Sequence, residues 1–102
     1  MTIIELENKL NFEGLKTVFD RGVKKKYITE KQFLENGIPQ NMINVFGIYQ
    51  QNDEFIFFIT DDERGTAKFI KYCATEEEAC KALYERISLL KQIHEKTKFK
   101  VD

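Results

Sequence analysis

Three residues in this 102-residue sequence have side chains that could ligate a soft metal or act as nucleophile and base: Cys73, Cys80 and His94. Cys80 and His94 are 14 residues apart on what reads as one helix, about 21 Å along its axis, so they cannot share an ion. Spacing places no serine, cysteine or acid as a nucleophilic partner for His94. It reads as a half-exposed histidine near a helix C-terminus, where its cation is favoured. Cys73 and Cys80 could approach each other around a strand-to-helix turn. Their plainer reading is as inert, buried thiols in a reducing compartment. Neither a G-x-x-x-x-G-K-[ST] loop nor a G-x-G-x-x-G turn occurs, which removes the recognisable phosphate cradles. These observations predict no catalytic residue, no metal site and no cofactor.

The remaining chemistry is charge. The chain carries a net charge of -1, but residues 51–80 hold eight acidic and three basic side chains, whereas residues 81–102 hold three acidic and six basic. Lys24-Lys25-Lys26, beside Tyr27, could touch a phosphate backbone. An isoelectric point near 5.9 argues against nucleic acid and leaves the run as a solvated connection. The acidic residues fall in three runs: Asp53-Glu54, Asp61-Asp62-Glu63 and Glu76-Glu77-Glu78. In a meander the first and last of these lie at the same end of the sheet. Asp53, Glu54, Glu76, Glu77 and Glu78 are therefore the candidate partner-binding residues, since such a surface complements a basic partner. Helix capping and turn solubility are the competing explanation of the same residues. The D-x-[DN]-x-[DN]-G calcium pattern is absent from Asp61 to Gly65.

The elements that must position these groups follow from periodicity. Ile3, Leu6 and Leu10 recur at helical spacing, and Phe12, Leu15, Val18 and Phe19 continue an apolar stripe that Gly14 breaks or bends. Asp20-Arg21-Gly22 reads as a stop. A second short helix is expected from Thr29, with Gln32 completing a capping box, Gly37 ending it and Pro39 preventing resumption. Residues 44–50 and 54–60 are rich in β-branched and aromatic side chains and flank Asn52-Asp53, predicting a hairpin that pairs Tyr49 with Ile56, Gly47 with Phe58 and Ile48 with Phe57. Both faces of the second strand are apolar, so it should be central and shielded on each side. Gly47 opposite Phe58 leaves a dent that an aromatic ring can fill. A third, edge strand runs from Ala67 to Cys73. Thr75 and Glu78 then open a long helix whose stripe is Ala79, Leu83, Ile87, Leu90 and Ile93, ending near Lys96.

The expected fold is α+β: a three-stranded antiparallel meander with N-terminal helices and a long C-terminal helix packed on the sheet. A single domain over residues 1–102 would comprise a helical part (1–42), the meander (43–73) and the helix (75–96). No run approaches the 18 apolar residues of a membrane span. The first residues lack a secretory signal, so a cytoplasmic protein is expected.

The phrases Asn44-Val-Phe-Gly-Ile-Tyr49, Phe55-Ile-Phe-Phe-Ile-Thr-Asp-Asp-Glu-Arg-Gly65 and Cys73-Ala-Thr-Glu-Glu-Glu-Ala-Cys80 resemble the small immunity proteins of bacterial polymorphic toxin systems. In those proteins an aromatic meander precedes a capped C-terminal helix. The resemblance implies a cytoplasmic, non-enzymatic antidote that binds one cognate toxin domain, and an acidic face suits a basic nuclease. Two alternatives stand beside it. One is a structural or regulatory module that self-associates as a homodimer through the second apolar face of the hairpin. The other is an enzyme or small-molecule binder, for which the dent at Gly47 is the sole feature, without convergent polar groups.

Overall fold

The computed structural model describes residues 1–28, 43–62 and 67–99. The chain opens with helix α1 (Ile3–Glu13). Thr2 caps it: its side chain accepts from the Glu5 amide at 3.2 Å, and the Glu5 carboxylate accepts in return from the Thr2 amide at 3.1 Å, which satisfies two of the amides a helix start leaves unpaired. Gly14 ends it in the left-handed region (φ 68°), which only glycine enters without steric cost.

The stripe that reads as helix beyond Gly14 is a hairpin. Strand β1 (Thr17–Asp20) turns through Arg21-Gly22 into β2 (Val23–Tyr27), pairing Val18 with Lys25 and Phe19 with Lys24. The N-terminal part is therefore not wholly helical, and the lysine run is a strand rather than a connection. The expected short helix at Thr29–Gly37 lies outside the described residues.

Strands β3 (Val45–Gln51), β4 (Glu54–Thr60) and β5 (Ala67–Cys73) form the expected meander. Its register is the one read from the turn, with Phe46 opposite Ile59, Gly47 opposite Phe58, Ile48 opposite Phe57 and Tyr49 opposite Ile56. Asn52 takes the positive φ (56°) that a two-residue hairpin asks of its first turn residue. The expected three-stranded antiparallel sheet is instead a five-stranded mixed sheet, ordered β1-β2-β3-β4-β5. β2 joins it by pairing parallel to β3 through Lys26–Val45 and Tyr27–Phe46. A parallel pair needs a crossover of a dozen or more residues, and no local turn signal announces one.

Helix α2 (Glu76–Phe99) crosses one face of the sheet, packing on β1, β3, β4 and β5, and runs three residues past the expected end. Leu6 and Leu10 of α1, Val18, Phe46, Ile48, Phe57 and Ile59 of the sheet, and Ala79, Leu83, Ile87 and Leu90 of α2 make one buried cluster. Each such large apolar side chain contributes roughly 1.5–3 kcal/mol on leaving water. Ile93, expected in this stripe, is 51% exposed, because by that point the helix has passed the meander and lies over β1, where His94 stacks on Phe19. The opposite face holds a second cluster of Ile28, Val45, Tyr49, Ile56 and Phe58. β4 is thus central and shielded on both faces, as its composition requires. The dent at Gly47 is occupied: a Cβ there would sit 2.9 Å from the Ile28 carbonyl oxygen and 3.2 Å from Cζ of Phe58.

Candidate functional site

The β3–β4 turn and the start of α2 share one end of the sheet because Phe55 pairs with Cys73 across β4 and β5. Glu54 precedes Phe55, and Glu76 follows Cys73 after only Ala74 and Thr75, so the register brings the two acidic runs to the same end. Asp53, Glu54, Glu77 and Glu78 are exposed there and Glu76 is half-buried.

The five carboxylates do different work. Thr75 Oγ1 accepts from the Glu78 amide at 3.1 Å, and Glu78 Oε2 accepts from the Ala74 amide at 3.2 Å. This is a capping box whose return bond lands one residue ahead of the cap. Glu76 Oε1 accepts from the Ile3 amide at 2.7 Å, so it ties the first turn of α1 to the first turn of α2. Glu76 and Glu78 are thereby built into the fold. Asp53, Glu54 and Glu77 face solvent as the part of the set available to a partner.

The residues that could carry other chemistry are the two cysteines, beneath this end, and His94, away from it. Both cysteines are buried and unbridged. Burial pushes both thiols up, Cys80 to about 12, with Glu76 adding to the effect at Cys80. A protonated, shielded thiol is a poor nucleophile and a poor metal ligand. His94 is half-buried, its ring stacked on Phe19 at 4.5 Å between centroids and 15° between planes, beside a hollow of about 230 Å³ bordered by Thr17, Lys91 and Glu95. Among the described residues, no group of three or more His, Cys, Asp or Glu side chains is placed to hold a metal ion.

One site escaped the sequence. At the end of the sheet opposite the β3–β4 turn, a cleft of about 370 Å³ opens between the β1–β2 hairpin, the end of β4 and the middle of α2. Lys25, the centre of the run that reads as solvated, is only 7% exposed there, and its ammonium donates to the Thr60 carbonyl. A strand pattern with a buried lysine opposite Val18 has no periodic signature that separates it from a charged loop.

Comparison with known proteins returns no matching family, no matching curated protein and no matching solved structure. Among the described residues no helix is long and apolar enough to cross a membrane.

Proposed function

We propose that this chain is a non-enzymatic protein-binding module, an immunity protein that neutralises a cognate bacterial toxin domain through the acidic end of its sheet. The observation that carries the reading is the β4–β5 register, which gathers Asp53 and Glu54 with the first turn of α2. The shape of that end adds support. A two-residue hairpin turn on a strand shielded on both faces, and a helix start capped at Thr75, hold the carboxylates on regular elements, so little conformational freedom is left to lose on binding. A negative patch of this kind speeds encounter with a basic domain and selects it over acidic competitors. A nuclease domain, basic because its substrate is a polyanion, is the partner this surface fits.

The test is titration of the purified chain into the C-terminal domain of the protein encoded immediately upstream of its gene, paired with growth of cells expressing that domain. One-to-one binding and restored growth on co-expression are expected. Absence of both contradicts the proposal.

A second reading has its own observation. On the face away from α1 and α2, Ile70 and Tyr72 of the edge strand β5 are 38% and 60% exposed and continue the apolar surface of their partners Phe58 and Ile56. This patch supports self-association as a homodimer. The exposed Lys71 between them on the edge strand works against strand-to-strand pairing. Sedimentation at micromolar concentration distinguishes the readings: a tight symmetric dimer that Y72K dissolves favours self-association, and a monomer removes it.

A further inference from the structure

The cleft beneath the middle of α2 exists because the parallel pairing of β2 with β3 is short. The two strands share Lys26–Val45 and Tyr27–Phe46, with the Lys26 amide donating to the Asn44 carbonyl at 3.0 Å. Asn44 then turns away at a φ of 55°. A register shift at Ile59/Thr60 ends the regular β4–β5 ladder at the same level, a common device at the rim of a site. Below this level the β1–β2 hairpin has no neighbour in β3, and α2 bridges the gap from β5 to β1.

The gap is lined by charges of both signs. On the floor, Lys25 is buried with its ammonium on the Thr60 carbonyl. The ion pair found among the described residues, Lys9–Glu13, does not involve it. A buried ammonium held by one carbonyl is costly unless an anionic group meets it. Beside it, Arg86 lays its guanidinium over the Phe69 ring, 4.8 Å from the centroid, and its Nε is shielded from solvent with no hydrogen-bond partner among the described residues. Oδ1 of Asn44, also in the wall, is shielded and unpartnered in the same way. Asp20 and Asp61 are half-buried like Arg86, while Asp62 and Arg21 are exposed at the mouth, with Ile59 and Phe69 as apolar wall. The volume falls at the lower end of the range for small-molecule sites, about 300–1,000 Å³.

From this mixed charge and the unpartnered polar atoms in the wall we infer that the cleft binds a small zwitterion of the α-amino-acid class, its carboxylate on Lys25 and Arg86 and its ammonium toward Asp20 and Asp62. A zwitterion meets cationic and anionic lining groups at once. The inference is independent of the antidote reading, since it concerns the other end of the sheet.

The test is an amide-resolved NMR titration of the full chain with L-leucine and L-phenylalanine, alongside leucinamide, N-acetyl-leucine and inorganic phosphate. Cross-peaks of residues 20–25, 44, 59–62 and 86 are expected to move with at least one of the two amino acids, with a Kd of about 1 mM or tighter. Leucinamide, which lacks the carboxylate, and the K25M variant should each bind at least roughly tenfold more weakly. Should K25M fail to fold, the exposed-site variant D62N serves in its place: it should weaken leucine binding and leave N-acetyl-leucine unaffected. No movement with either amino acid at about 10 mM would overturn the inference, since binding weaker than millimolar is worth less than about 4 kcal/mol. Equal binding of leucinamide and leucine, or tighter binding of phosphate than of either amino acid, would overturn it as well.

Discussion

Cys73 and Cys80 illustrate how burial decides whether a reactive side chain does chemistry. At 2% and 0% exposure, with burial raising both thiols and taking Cys80 to about 12, they carry almost no thiolate at neutral pH. Labelling with a thiol reagent at pH 8 should therefore run at least roughly 100-fold slower in the native protein than in denaturant; rapid native labelling of either would contradict their burial. Tyr49 gives a pH signature of the second face. Burial, with Tyr72 adding to it, raises its hydroxyl from 10.0 to about 12. The unfolded chain ionises first, so this residue's contribution to stability is whole below pH 10 and is lost as the pH climbs to 12. The melting temperature of the wild type should fall across that window by several degrees more than that of Y49F; parallel curves would show that the hydroxyl is solvated. The burial of the thiols was legible from residue type alone. The stacking of His94 on Phe19 was not, because it depends on where β1 lies.

Among the elements, the β3–β4 hairpin was readable down to individual pairs because its signal is local. A two-residue turn fixes register, and a one-residue slip would turn the apolar set on each face outward. Gly47 is a point of close approach in that hairpin. G47A should cost about 1–3 kcal/mol, seen as a lower melting temperature, because its Cβ would press on the Ile28 carbonyl and the Phe58 ring; an unchanged melt would mean the second face is looser than described. The start of α2 was equally legible through Thr75 and Glu78, and T75A should cost about 1 kcal/mol. The same T-x-x-E spacing at Thr2 and Glu5 caps α1, although the apolar stripe running on past Gly14 obscures where that helix stops. The β1–β2 hairpin stayed hidden because Val18 and Phe19 fit the helical stripe as well as a strand, and three consecutive lysines carry no alternation.

For the whole molecule, the layout of three C-terminal strands and a covering helix could be read from the chain, but not the sheet that contains them. The parallel β2–β3 pair joins Lys26 and Tyr27 to Val45 and Phe46, a contact across the sequence that no turn residue records. The cleft that depends on it was invisible for the same reason. The acidic end was placed correctly because it follows from meander geometry alone, yet its members divide in a way composition cannot show, with Glu76 and Glu78 hydrogen-bonded into the fold. Reversing all three glutamates would confound binding with folding. The decisive measurement is the affinity of a D53K/E54K/E77K variant for the upstream-encoded toxin domain, taken at low and high salt beside its thermal melt. The account predicts binding weakened at least roughly tenfold at low salt, a smaller loss at high salt, and a melting temperature close to that of the wild type. Undiminished affinity, or a loss matched by unfolding, would contradict it.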